Sequence, residues 1–204
     1  MITIIDFGVG NLGSIQNMLK KIGYKSVITS NIQEINNAQK LILPGVGKFD
    51  YAMQQLAERN FIDVLNKKVL LEKTPILGIC LGVQIFTKGS EEGKLPGLGW
   101  FDAETLKFNF EPNSNLKIPN MGWHDIHIKK ESKLLQGLPA NSRFYFVHSY
   151  YLKCNNSQDG ILSATYGFEY VCAIEKENIV GVQFHPEKSH RFGMKLLQNF
   201  AELY

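Results

Sequence analysis

Short apolar runs alternate with stretches of helical periodicity up to about Ser90, and this alternation is compatible with few fold classes. Two stretches indicate helices: residues 15–22 have apolar residues at helical spacing, and Phe49–Lys73 is rich in helix formers. The runs between them indicate strands at Met1–Asp6, Ser26–Thr29, Lys40–Leu43 and Ile76–Ile79. Units of this length predict an α/β fold in which helices flank a mostly parallel central sheet.

The rest of the chain has a different pattern. Turn formers cluster at Gly93–Gly99, and apolar residues alternate with polar ones. This pattern predicts a β-rich portion, with strands near 123–128, 144–147, 161–166, 171–175 and 179–184. Arg191–Tyr204 has the spacing of an amphipathic helix. We expect this antiparallel portion to be added to the parallel sheet within a single domain of residues 1–204.

Composition excludes several functional classes. The 204 residues carry a net charge of +3, and the basic residues are scattered, so nothing indicates nucleic-acid binding. No apolar run approaches the ~18 residues of a membrane span, and the first residues lack the features of a secretory signal. We therefore expect a cytoplasmic protein. Its three cysteines, Cys80, Cys154 and Cys172, are too few for a disulfide framework and should be free.

Cys80 has the sequence setting of a nucleophile. It follows an apolar strand and lies between Gly78 and Gly82, as in the strained strand-to-helix turn called a nucleophile elbow. At such a turn the following helix stabilises a thiolate, and the N–H of Leu81 can bind a developing oxyanion. A structural cysteine remains the alternative, and Cys154 and Cys172 have no comparable setting.

The segment His185-Pro186-Glu187 supplies partners for such a nucleophile. A catalytic thiolate commonly uses a histidine as general base, and the histidine needs an orienting acceptor. In an extended chain, residues two apart project to one side, so Glu187 can hold the imidazole of His185. The segment follows an apolar strand, and catalytic residues gather at the carboxyl ends of parallel strands. The turn after another strand, at Gly45, Val46 and Gly47, could add the Val46 N–H as an oxyanion donor there, or it could be a simple glycine turn.

A second glycine pattern supports a different class of protein. Gly8-Val-Gly-Asn-Leu-Gly13 matches a dinucleotide-binding fingerprint and lies between a predicted strand and a predicted helix. The fingerprint also requires an acidic residue at the end of the second strand, whereas this strand ends at Thr29-Ser30-Asn31. An NAD-binding or sensor module is therefore the weaker alternative, and a tight first turn explains the glycines.

Together these motifs resemble the triad-type (class I) glutamine amidotransferases. The resemblance spans nearly the whole chain, and it is carried by 78–84 (GICLGVQ), 184–187 (FHPE), 6–14 (DFGVGNLGS), 43–47 (LPGVG), 90–93 (SEEG), 119–123 (PNMGW) and 145–151 (YFVHSYY). It implies a flavodoxin-like fold and glutamine hydrolysis through a γ-glutamyl thioester on Cys80, with no metal or organic cofactor. It also implies that ammonia passes to a separate cyclase of (β/α)8-barrel fold, which works in histidine biosynthesis and forms a heterodimer with this subunit.

The resemblance also implies roles for further residues. Gln84 and Glu92 would contact the substrate glutamine, and His148, Ser149 and Tyr150 would line its pocket. Carboxylates suit an ammonium group, and N–H or hydroxyl donors suit a carboxylate. For His148 the alternative is a buried, hydrogen-bonded core histidine. The residues that would face the partner are Pro119, Asn120, Met121, Gly122, Trp123 and Lys188.

The sequence departs from the family pattern on this partner-facing loop. The usual Pro-His-Met-Gly-Trp-Asn is replaced by a segment with Asn120 and His124 at the second and last positions. Drift is one explanation. The other is a related subunit that supplies ammonia to an amidotransferase of surface-sugar (acetamidino) biosynthesis. A cysteine hydrolase acting on γ-glutamyl peptides or small aldehydes is a further rival, opposed by Gln84 and Glu92.

Overall fold

The computed structural model describes residues 1–111 and 113–204. Within these ranges the chain forms eleven strands in one sheet, flanked by six α-helices. The strands are β1 Ile2–Ile5, β2 Ser26–Thr29, β3 Leu41–Gly45, β4 Ile76–Cys80, β5 Ala103–Lys107, β6 Asn120–Ile128, β7 Arg143–His148, β8 Tyr150–Cys154, β9 Gly160–Tyr166, β10 Phe168–Lys176 and β11 Ile179–Val182. The helices are α1 Leu12–Lys21, α2 Ile32–Asn36, α3 Phe49–Glu58, α4 Phe61–Asn66, α5 Leu81–Ile85 and α6 His190–Leu203.

The sheet is parallel at one end and antiparallel at the other, which confirms the predicted fold class. Its main path runs β2-β1-β3-β4-β11-β10-β9-β6-β7, and the pairs from β2 to β11 are parallel. The next pairs, from β11 to β7, are antiparallel, and a β5–β8 ribbon joins the sheet at β10. The parallel part follows the flavodoxin-like order, in which ligands bind beyond the carboxyl ends of the strands.

Helices cover the parallel strands on both faces because successive strand residues point to opposite sides. On one side, Ile4 and Ile42 pack in a core with Leu19 of α1 and Leu196 of α6. On the other side, Leu43 and the neighbouring strand residues pack against apolar residues of α2, α3 and α4. None of the helices in the described ranges has the length and apolar character that a bilayer crossing needs.

The long helical stretch at 49–73 is interrupted. Asn60 adopts left-handed backbone geometry with φ 58°, and this residue separates α3 from α4. Asn tolerates this conformation better than most residues do. The last turn, Lys67–Leu71, has π-helical hydrogen bonding. Strands β5 and β8 lie in the β-rich portion, at positions where the sequence predicted no individual strand.

Candidate active site

Cys80 lies on a strained turn between β4 and α5. Its backbone has φ 55° and ψ −111°, a conformation that is costly for a residue with a side chain. A Cβ at Gly78 would lie 2.6 Å from the ring of Phe86, and a Cβ at Gly82 would overlap the carbonyl oxygen of Leu43. Both glycines therefore allow close packing around the elbow, as the sequence predicted.

His185 and Glu187 form a buried pair beside this turn. His185 Nδ1 and Glu187 Oε1 are 2.7 Å apart, and both side chains are almost fully enclosed. His185 Nε2 has no hydrogen-bond partner among residues 1–111 and 113–204. The pairing was predicted, but from extended backbone. Pro186–Lys188 is instead a turn of 3-10 helix, and this turn brings the carboxylate to the ring.

The surroundings of His185 favour its protonated form. Burial disfavours the charge, but interactions with the Cys80 and Glu187 side chains outweigh it and raise the pKa of His185 to about 10. An imidazolium beside Cys80 stabilises a thiolate. The geometry can therefore supply a nucleophile and a proton donor together.

A cavity of 330 Å³ opens beside Cys80 and His185. It brings together the sequence-predicted residues from six different segments of the chain. The other predicted residues that line it are Val46, Gly47, Leu81, Gln84, Glu92, Pro119, His148, Ser149, Tyr150 and Lys188. Gly45 is not among its lining residues but pairs with Cys80 across β3 and β4. A Cβ there would lie 3.0 Å from Leu81, so the two turns are closely packed.

Glu92 and Tyr150 give one part of the cavity a polar lining. Glu92 Oε2 accepts a hydrogen bond of 2.9 Å from the backbone N–H of Phe49, at the start of α3. Burial, followed by the nearby charge of Glu92, raises the pKa of Tyr150, so its hydroxyl keeps its proton. A carboxylate and a hydroxyl are suitable groups for binding an amino acid.

His148 is a buried, neutral residue of this wall. Burial lowers its pKa to about 4. Its Nδ1 lies 2.6 Å from the carbonyl oxygen of Tyr150, and its Nε2 lies 3.2 Å from Asn120 Nδ2. An Nδ1–H that donates to this carbonyl leaves Nε2 as the acceptor for the Asn120 amide. His148 thus both lines the cavity and belongs to a hydrogen-bonded core network, so the two predicted alternatives coexist.

This burial predicts that acid weakens the fold through His148. The unfolded chain binds a proton on this residue below its ordinary pKa of 6.5, whereas the folded chain binds it only near pH 4. Stability is therefore lost as pH falls from 6.5 to 4, by about 3 kcal/mol if His148 acts alone. Urea unfolding of wild type and His148→Gln at pH 4.5 and 7 measures this. We expect a smaller pH dependence in the variant, and equal dependence would contradict the assignment.

Asn120 differs from its neighbours on β6 in the orientation of its side chain. It is fully buried, lies opposite His148 in the β6–β7 register, and donates to the hydroxyl of Tyr170 at 3.1 Å. Its neighbours on β6 do face outward, since Met121 and Trp123 are exposed. The alternation along a strand turns the Asn120 side chain inward, and a place for Asn120 in a partner interface stays a prediction.

The predicted partner-facing residues other than Asn120 include an aromatic and a basic side chain. Trp123 stacks on His190 with ring centroids 5.5 Å apart, and the Lys188 ammonium lies 5.7 Å from the centre of the Tyr145 ring. Gly122 lies between the two exposed β6 residues. His124 is partly buried, with its ring edge-on to Phe146 and Tyr166. Pro119 reaches the cavity itself.

One residue of the site was missed. Gln183 directly follows β11 and is fully buried, with Nε2 3.8 Å from Cys80 Sγ. Its Oε1 accepts a hydrogen bond of 3.0 Å from Gln84 Nε2. The sequence did contain a sign of it, because a polar amide between an apolar strand and a motif histidine is unusual in a buried position.

The other two cysteines are packing residues, as predicted. Burial raises the pKa of Cys154 to about 12 and that of the fully buried Cys172 well above its ordinary value. Both thiols therefore stay protonated at neutral pH. Within residues 1–111 and 113–204, no three His, Cys, Asp or Glu side chains are grouped as metal ligands would be.

The glycine pattern at 8–13 forms a tight turn after β1. Asp6 accepts a hydrogen bond of 3.0 Å from the Gly8 N–H. At the end of β2, Asn31 caps α2 by accepting hydrogen bonds from the backbone of Gln33 and Glu34. The position at which a dinucleotide-binding protein has an acidic residue is thus held by Asn31, which caps a helix. This favours a tight turn, rather than nucleotide binding, as the reason for the glycines.

A sheet of this order with a cysteine elbow and a His–Glu pair defines a class, and the chain belongs to the class-I glutamine amidotransferases, whose family model matches residues 3–203. Within that class, three relatives of high identity carry the name imidazole glycerol phosphate synthase subunit HisH. HisH 2 of Methanococcus maripaludis is 54% identical over 99% of both chains. HisH 2 of Pseudomonas aeruginosa is 46% identical and HisH of Leptospira interrogans 47%, each over 100% of both chains.

Solved structures show the same fold at low identity. A glutamine amidotransferase superposes with a TM-score of 0.76 at 18% identity, over 99% of this chain and 97% of that chain. PurLQS from Thermotoga maritima superposes with a TM-score of 0.69 at 16% identity, over the same shares of the two chains.

Proposed function

We propose that this chain is the glutaminase subunit of an imidazole glycerol phosphate synthase, hydrolysing glutamine to glutamate and ammonia for a partner cyclase in histidine biosynthesis. The observation that carries the proposal is the convergence of Cys80, His185, Gln84 and Glu92 at one cavity, with Glu187 paired to His185. The full-length HisH relatives support the choice of synthase.

The proposed reaction uses the cavity residues in sequence. The Cys80 thiolate attacks the side-chain amide carbon of glutamine, and the N–H groups of Val46 and Leu81 stabilise the oxyanion. The His185 imidazolium gives its proton to the departing ammonia, which leaves a γ-glutamyl thioester on Cys80. The neutral imidazole then takes a proton from water, and the resulting hydroxide releases glutamate and restores the thiolate.

Substrate binding would use the polar wall of the cavity. Glu92 would pair with the α-ammonium group of glutamine, and donors from Ser149 and Tyr150 would hold its α-carboxylate. Gln84 would contact the substrate between these two groups and the nucleophile. His148 would act through packing and hydrogen bonds, because burial keeps it neutral.

The partner would be a (β/α)8-barrel cyclase that docks beside the cavity in a heterodimer. Ammonia released into water at neutral pH becomes ammonium and is no longer a nucleophile, so the product has to reach the acceptor without that exchange. Pro119 and Lys188 line the cavity, and Met121 and Trp123 are exposed on β6, the strand that follows Pro119. These residues are suited to bind a chain that receives ammonia directly.

A second acceptor synthase is favoured by the β6 departures. The Asn120 amide lies within hydrogen-bonding distance of His148 in the cavity wall, and His124 packs on Phe146, so both departures change the packing beneath the exposed side of β6. Two of the relatives are also numbered HisH 2. The alternative is a related subunit that supplies ammonia for acetamidino groups on surface sugars.

Glutamate release by the purified chain, alone and with the histidine-pathway cyclase of the same genome and its nucleotide substrate, tests the proposal. We expect low activity alone and stimulation of about 100-fold, or ~2.7 kcal/mol of barrier, in the complex. The matched control uses the cyclase without its nucleotide. Glutaminase activity that no cognate cyclase stimulates would transfer the proposal to the alternative synthase, and no activity in any combination would refute it.

A further inference from the structure

Gln183 contacts the nucleophile from a position that the reaction above does not use. Its amide Nε2 lies 3.8 Å from Cys80 Sγ, within hydrogen-bonding range for the large sulfur atom. The side chain is fully buried, so bulk water does not compete for this N–H. An N–H donor stabilises a thiolate more strongly than a thiol, because hydrogen bonds to charged groups are the stronger ones.

The other end of the same amide is also used. Gln183 Oε1 accepts the Gln84 amide N–H at 3.0 Å, and Gln84 lines the cavity beside Cys80. The single Gln183 side chain therefore joins the nucleophile to a residue that is suited to bind glutamine.

The position of Gln183 is fixed by the sheet. Its backbone N–H donates to the Cys172 carbonyl at 2.8 Å, and β11 is buried over all four of its residues. A primary amide in such a place costs free energy unless its polar atoms are satisfied. The two hydrogen bonds supply that compensation, and an apolar residue would serve the core equally well. The contacts with Cys80 and Gln84 therefore explain why an amide is present.

We propose that Gln183 is a positioning residue for the nucleophile, donating its amide N–H to the Cys80 thiolate while its carbonyl fixes the side chain of Gln84. The second part rests on the proposed glutaminase function, because Gln84 matters only if it binds substrate. The first part concerns the thiolate itself and can be measured without glutamine or a partner.

The test is the pH dependence of Cys80 alkylation by iodoacetamide in the full chain, followed by mass spectrometry of the Cys80 peptide. In Gln183→Met, which keeps the volume and removes the donor, we expect the pH–rate profile to move up by about one unit, so that alkylation slows by up to about tenfold on the rising part of the profile. A variant profile that superposes on the wild-type profile would overturn the proposal.

Two further variants separate positioning from a structural effect. Gln84→Met removes the partner of Gln183 Oε1 and is expected to raise KM for glutamine while leaving the alkylation profile in place. Asn199→Leu removes a buried amide that donates to the Leu134 and Gln136 carbonyls at 2.9 and 2.7 Å. We expect it to lower Tm without moving the profile. If either control slows alkylation as much as Gln183→Met, the proposal fails.

The two proposals fail independently in this design. A wild-type chain that releases no glutamate with its cyclase refutes the proposed function, yet a shifted profile in Gln183→Met still supports the thiolate contact. Stimulated glutamate release together with an unshifted profile supports the function and refutes the role of Gln183. In an active complex, we expect Gln183→Met to lower kcat about tenfold as well, because the nucleophile itself is affected.

Discussion

Replacing Cys80 with alanine is expected to reduce glutamate release by at least about 10⁴-fold, because no other group in the cavity can form the thioester. The elbow places this sulfur next to His185, whose raised pKa depends on it. The measurement is glutamate formation by the complex with its activating cyclase. Mass spectrometry of the quenched complex should also show the glutamyl adduct, a gain of one γ-glutamyl group on Cys80, only in the wild-type chain.

Cys154→Ala is the matched control for this variant. Cys154 lies at the end of β8 outside the cavity lining, and burial raises its pKa to about 12. We expect its activity to stay within about twofold of wild type, as for a substitution away from the reacting groups. Full activity in Cys80→Ala, or comparable loss in Cys154→Ala, would contradict the assignment of the nucleophile.

Replacing Gly82 with alanine is expected to lower the free energy of unfolding by about 3 kcal/mol or more. The added methyl group would overlap the carbonyl oxygen of Leu43, an atom of the central strand β3. That strand cannot shift easily, since Leu43 is paired with Gly78 of β4. Urea unfolding measures the loss, and activity should fall as well because any movement of α5 displaces Cys80.

Gly13→Ala tests whether the effect comes from packing rather than from glycine content. Gly13 lies in α1, where an added Cβ meets no atom within 4 Å. Alanine there should stabilise the helix by up to ~1 kcal/mol. Equal destabilisation by the two substitutions would show that the contact with Leu43 is not responsible.

The elbow illustrates what the sequence could predict. Gly78 and Gly82 on either side of Cys80 have few explanations other than a tight turn, and a strand must precede such a turn. The His185–Glu187 spacing was equally informative about which residues pair. It was not informative about backbone geometry, because a two-residue separation can be bridged by an extended chain or by the 3-10 turn that Pro186 begins.

Other features depend on distant parts of the chain. The inward orientation of Asn120 follows from the register of β6 against β7, and no local pattern specifies that register. Gln183 depends on β11 lying next to β4, which brings two residues 103 positions apart into contact. The break at Asn60 comes from one left-handed residue inside a sequence that favours a continuous helix. Tertiary packing overrides local preference in each case.

The position of β11 beside β4 also determines when, during synthesis of the chain, the active site can form. Cys80 leaves the ribosome long before His185, and at ~5–20 residues per second the delay is roughly 5–20 s. During that interval the cysteine has neither its base nor the strand that encloses it. Hydrolytic competence therefore has to wait until β11 is synthesised and lies between β4 and β10, because only then does His185 stand beside Cys80.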